Sequence, residues 1–196
     1  MALEINHYAI EGQGIRLEPL TLAHAEGLYA IGQEAGDWKY LPRPCFSNLD
    51  DTLSWINAAL QLKENQQHYT YVIIDVGNDQ IMGSTRYLNI TPRDYTLEIG
   101  YTFLGKDFQR TRINSTAKYL ILKNAFETLS ANRVELRTDA RNTRSQQAIE
   151  RLGAIKEGVL RKHRIVQHGF VRDTVVYSIL ADEWCLLKTR LIKNLQ

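Results

Sequence analysis

Residues 109–116 put Gln109, Arg110, Thr111, Arg112, Ile113, Asn114, Ser115 and Thr116 in one run, a concentration of amides, hydroxyls and guanidiniums suited to holding an anion. They read as the first turn of a helix, where backbone N–H groups lack intrahelical partners and the helix dipole adds positive charge. The preceding segment reads as a strand, because Leu97, Ile99, Tyr101 and Phe103 alternate with Glu98, Gly100 and Thr102. Leu104-Gly105-Lys106-Asp107 breaks that strand before the polar turn. A strand feeding such a turn predicts a diphosphate site, with the strand laying out the rest of a cofactor.

The elements that position this stretch follow from periodicity and punctuation. Residues 15–20 alternate and end beside Pro19, a first strand, with Gly12-Gln13-Gly14 a plain turn ahead of it. Thr21 caps a helix through Leu28 and Ile31, and Asn48 or Ser47 caps a second carrying Leu53, Ile56 and Leu60. Residues 37–46, with two prolines and three aromatics, read as an irregular loop. A hairpin joins strands 69–76 and 81–89, then comes the central strand with its helix running to about Leu129. Residues 134–138 form a short strand, Asn142 caps a helix closed by Gly153, and a last hairpin, 158–166 with 170–180, precedes a helix from about Asp182. The order predicts an α/β fold: a mixed, mostly antiparallel central sheet of about seven strands with helices on both faces.

At 196 residues, without repeats or linkers, the chain reads as a single domain over 1–196, with a core of about 15–181 and a C-terminal helix at 182–196. A net charge of +2 permits an anionic small ligand but lacks the basic bias of a nucleic-acid binder. No run is long and apolar enough for a bilayer, and residues 1–10 carry no signal pattern, so a cytoplasmic protein without membrane partners is expected. Cys45 and Cys185 match no metal or redox spacing and read as small buried residues; the five histidines form no ligand spacing, so no metal is expected.

With the polar turn and Asn142-Thr143-Arg144-Ser145 placed, the chain resembles the GCN5-related N-acetyltransferases, and within them the branch of ribosomal-protein alanine and serine N-acetyltransferases. The resemblance spans nearly the whole sequence, including residues 38–42, 98–101, 139–154 and 172–178. It implies acetyl-CoA as acyl donor and no metal. The diphosphate would lie on residues 109–116 and Asn142, and the pantetheine arm on main-chain atoms of Tyr101, Thr102 and Phe103. The family's diphosphate motif has glycine where this chain has Arg112, and glycine or alanine where it has Asn114. Arg112 either swings outward, adding a charge-assisted contact, or crowds the pocket. Ile149 stands where many members carry a tyrosine acid, and Ser145 matches the branch's serine: a packing residue, or the partner of the leaving thiolate.

Glu98 is the candidate base, taking the ammonium proton through a water with its pKa raised by partial burial; an ordinary ion pair is the alternative. Trp38 and Tyr40 lie where the branch builds its acceptor pocket, and either contact substrate or fill core. Arg137, Arg141, Arg144, Arg161, Lys162 and Arg164 make a basic region, a solvated face in which one or two residues can meet the nucleotide's 3′-phosphate. The expected activity is acetyl transfer to a primary amine by direct attack in a ternary complex. The acceptor is a protein N-terminal α-amine, or a small amine such as an antibiotic or polyamine, and a homodimer is compatible with either. The rival reading is a degenerate acyl-CoA- or protein-binding module.

Overall fold

Residues 3–5 and 7–195 are described by a computed structural model. Eight strands form one sheet: β1 (Ile10–Gly12), β2 (Ile15–Pro19), β3 (Tyr69–Asp75), β4 (Ile81–Thr91), β5 (Thr96–Leu104), β6 (Arg133–Asp139), β7 (Ile155–Ile165) and β8 (Val171–Leu180). Their order across the sheet is β1-β2-β3-β4-β5-β6-β8-β7. Only β5 and β6 run parallel; every other neighbouring pair is antiparallel. The strand beyond the expected seven is β1, because Gln13 (φ 54°) and Gly14 (φ 79°) make a two-residue hairpin turn back to β2.

The helices are α1 (Ala25–Ile31), α2 (Ala35–Trp38), α3 (Leu49–Glu64), α4 (Ile113–Lys123), α5 (Thr143–Leu152) and α6 (Ala181–Leu195). The short α2 lies inside the segment read as irregular, and Asn48 caps α3 by accepting from the Asp51 N–H at 2.8 Å. Both faces of the sheet are covered, so β3 is apolar on both: Tyr71 and Ile73 join the core under α4, α5 and α6, while Val72 and Ile74 join that under α1 and α3. In α4, Ala117 and Tyr119–Leu122 are all buried, as their wide apolar face predicts, and a π-helical turn at Asn124–Thr128 continues the helix. Cys45 is half-buried and Cys185 exposed on α6, so the expectation of two buried cysteines fails for Cys185. No described helix is long and apolar enough to cross a membrane.

Candidate active site

The parallel pair that begins the site is short. β5 and β6 pair only at Thr96–Arg133, Leu97–Val134 and Glu98–Glu135. Past Glu98 the two strands instead wall a cleft of about 720 Å³, β5 contributing residues 98–104 and β6 residues 136–139. Strand backbone without its neighbour's ladder offers N–H and C=O groups to an extended ligand.

A bulge in β5 changes which side chains face which way. Ser84 pairs with Phe103 but Arg86 with Gly100, one residue more on β5 than on β4, and Tyr101 takes a left-handed φ of 49°. Simple alternation puts Tyr101 and Phe103 with Leu97 and Ile99, and that expectation is overturned. Leu97, Ile99 and Thr102 face α4, whereas Phe103 packs under α1 and α3 and Tyr101 stacks near His68 and Arg86. Glu98 and Tyr101 therefore share a face.

The mouth of α4 differs from the expected first turn. The helix starts at Ile113, because Arg110 adopts φ 60° and the Thr111 hydroxyl donates to Phe108 O at 2.6 Å. The N-cap residue, Arg112, makes no side-chain cap, although the Thr111 hydroxyl accepts from the Ile113 N–H at 3.3 Å. Gln109, Arg110, Thr111, Asn114 and Ser115 line the cleft. Ile113 turns to the core and Thr116 is buried, its hydroxyl donating to Arg112 O, so these side chains are not on the wall where the sequence placed them. Gln109 donates to Leu104 O at 3.0 Å, tying the turn to the end of β5. Exposed Arg112 is likewise absent from the wall and does not crowd the pocket. Arg112→Gly is accordingly expected to leave calorimetric acetyl-CoA affinity within roughly twofold, the range of ordinary surface changes; a tightening beyond about tenfold would mean that the guanidinium blocks the mouth.

Across the cleft, α5 begins with Asn142, whose Oδ1 accepts from the Ser145 N–H at 3.0 Å. Ser145 is half-buried on the wall with Ala148, Ile149 and Leu152, and Gly153 ends the helix at φ 95°. The cleft is strongly cationic. Of the residues lining it, Glu98 and Asp139 alone are acidic, against the guanidiniums of Arg110, Arg137, Arg141, Arg144, Arg151, Arg164 and Arg172. The chain's small net charge conceals this concentration, which suits a polyphosphate ligand. Asp139 is committed to Arg141 at 2.7 Å; burial raises its carboxyl pKa, but Arg141's hydrogen bonds outweigh burial and hold it below the usual range.

Glu98 is buried where the strands part. Its Oε2 accepts from Asn89 Nδ2 at 2.7 Å and lies 3.3 Å from Arg137 Nε. Burial pushes its pKa up despite Arg137 and Asn89, so it gives up its proton above the ordinary carboxylate range. On the same side Arg164 donates to the Tyr101 hydroxyl at 3.0 Å, and Tyr40 lines the wall. Trp38, in contrast, is in the core, 2% exposed, against Phe46 and Phe103. The Gln167 amide holds its loop, donating to Trp38 O at 2.7 Å and Arg43 O at 2.6 Å.

Lys118 and Arg86 were not identified by sequence reasoning. Lys118 Nζ donates to Thr102 Oγ1 at 2.5 Å and Thr85 Oγ1 at 3.2 Å, with no carboxylate partner among the described residues. Burial alone lowers its pKa to about 7. A lysine inside an otherwise apolar helix stretch was the available signal. No cluster of metal-ligating side chains occurs among the described residues.

Residues 15–155 match the family model described as an acetyltransferase (GNAT) domain. "Uncharacterized N-acetyltransferase p20" of Bacillus licheniformis is 25% identical over 170 residues, covering 87% of this chain and 94% of that protein. "Putative ribosomal N-acetyltransferase YdaF" of Bacillus subtilis is 37% identical over 87 residues, 44% of this chain and 46% of its own. Among solved structures, a GCN5-related N-acetyltransferase from Brucella melitensis superposes with a TM-score of 0.93 at 26% identity, over 100% of this chain and 88% of that one. A strand pair that parts beside a polar helix mouth, in a chain with these relatives, places the protein in one class: it belongs to the GNAT family. It is an N-acetyltransferase, and acetyl-CoA is the donor its family uses.

Proposed function

We propose that this enzyme acetylates the N-terminal α-amine of a protein or peptide, by direct attack on the donor in a ternary complex. The observation that carries the reading is Glu98: a buried carboxyl with a raised pKa, on the cleft wall where β5 leaves β6. An amine attacks only after losing its proton, and Glu98 takes that proton directly or through one water. The name of YdaF supports a ribosomal-protein acceptor.

The residues present fit the donor. Amides at the start of α4, with Arg110, Asn114 and Ser115, would hold the diphosphate, and the β5 main chain at residues 101–103 would hold the pantetheine arm. When bound, the thioester supplies an electrophilic acyl carbon next to an amine that Glu98 has deprotonated. Ser145 stands on the α5 side of the cleft as the candidate partner of the departing sulfur.

Titration with acetyl-CoA followed by thiol-release assays tests this reading. Short peptides with free N-termini are expected to release thiol, the same peptides with blocked N-termini to release none, and initial-rate plots to intersect. Saturable binding with no thiol release from any amine would replace transfer with a binding module, and absence of binding would sink both.

A further inference from the structure

A second cavity, of about 160 Å³, shares Leu41, Pro42, Tyr101 and Phe103 with the main cleft. Trp38 and Trp55 complete an apolar, aromatic lining, and among them lies Arg86 of β4, 5% exposed. Its guanidinium stacks on Trp55 and Tyr101, with ring centroids at 5.4 and 4.9 Å. Nη1 lies 3.2 Å from His68 Nδ1; burial, with Arg86 and Arg164 nearby, lowers His68 to about 4, so the ring is neutral at neutral pH and offers a hydrogen-bond acceptor but no counter-charge. Arg43, on the same cavity, is already paired with Asp51 at 2.7 Å; Arg86 has no such carboxylate among the described residues.

Two donors in this lining are buried and have no hydrogen-bond partner: Arg86 Nε and Trp38 Nε1. Burying a cation without a counter-charge costs far more than burying a paired one. An apolar chamber with a guanidinium that lacks a carboxylate partner, and with the Arg86 Nε–H and Trp38 Nε1–H idle, is complementary to a carboxylate, which arginine binds through charge-assisted hydrogen bonds. Burial lowers Arg86 to about 10, which leaves it charged at neutral pH.

We propose that this chamber receives a carboxylate of the acceptor, so the enzyme acetylates amines that carry an acidic group close to the amine. The inference rests on the acetyltransferase reading above and narrows it: cationic acceptors such as polyamines are disfavoured, and acidic ones selected. The carboxylate comes either from an acidic side chain near a peptide's N-terminus or from a small amino acid.

The test uses matched acid and amide acceptors. One arm compares C-terminally amidated peptides with Asp or Glu in the second position against Asn or Gln; the other compares small amino acids with their amides. The acid is expected to give at least roughly tenfold higher kcat/KM in one arm, which identifies the source, and Arg86→Met is expected to bring that ratio close to one. Arg86→Lys, which keeps the charge but loses the fork, serves the same comparison should the methionine variant not fold. A binding measurement independent of turnover titrates N-acetylglutamate and its diamide, which has no carboxylate, into the protein with coenzyme A, where only the acid is expected to bind. Acid binding without thiol release from any amine would sink the transfer reading, and with it the acceptor preference, and leave only a carboxylate site at Arg86. Equal use of acid and amide in both arms with no binding of N-acetylglutamate, or an acid preference that survives Arg86→Met, would overturn it.

Discussion

Glu98→Gln is expected to lower kcat/KM by about 10²–10⁴-fold, the usual worth of a positioned general base. The substitution is nearly isosteric, and its side-chain oxygen can still accept from Asn89 and Arg137. Arg137 also keeps Glu135 at 2.6 Å, so no cation is left unpaired. The fold and calorimetric acetyl-CoA affinity should therefore be preserved while turnover falls. The pH profile supplies a second readout. Burial raises the Glu98 pKa, and the base acts only when ionised, so activity should fall off on the acid side above the ordinary carboxylate range. The residual activity of the variant should lack that limb. Retention of activity within about threefold would reduce Glu98 to a structural ion pair.

The other large effect is on stability. Lys118→Met is expected to stabilise the protein by a few kcal/mol at pH 7. In the folded protein burial lowers the lysine to about 7, against 10.5 when unperturbed. The sign follows from proton counting. Above about 10.5 both folded and unfolded states are neutral at this site, and the lysine carries no electrostatic penalty. As pH falls towards about 7 the unfolded chain takes up a proton that the folded chain refuses, so stability is lost across that window and levels off below it. The full difference is roughly 5 kcal/mol at 1.36 kcal/mol per unit. Methionine fills similar space without charge, and Thr85 and Thr102 keep a hydroxyl contact with each other at 2.8 Å. Urea melts at pH 7 and pH 10 measure the effect: the variant should gain at pH 7 and lose most of that advantage at pH 10. An equal gap at both pH values would show that Lys118 is not held neutral.

Much of this architecture is legible locally. Turn residues between periodic segments mark seven of the eight strands, and the caps Asn48 and Asn142 and the stop at Gly153 lie where their chemistry requires. The errors share one physical origin, since each depends on what the rest of the chain presses against a residue. Gln13 and Gly14 form a hairpin turn rather than a plain one only because residues 10–12 find β2. The mouth of α4 begins four residues later than its composition suggests, because Arg110 takes a left-handed backbone angle. The β5 bulge is invisible to period-two reasoning, which assumes no inserted residue. Lys118 and Arg86 carry charge into the interior, which a pattern of polar and apolar letters does not forecast.

That inserted residue in β5 gives the enzyme an economy of parts. Since the donor would grip the strand's peptide groups while Tyr101 also walls the second chamber, side-chain change at position 101 can redraw which amines are admitted without rewriting the donor's seat. Substrate range and acyl chemistry can thus diverge independently along a single strand.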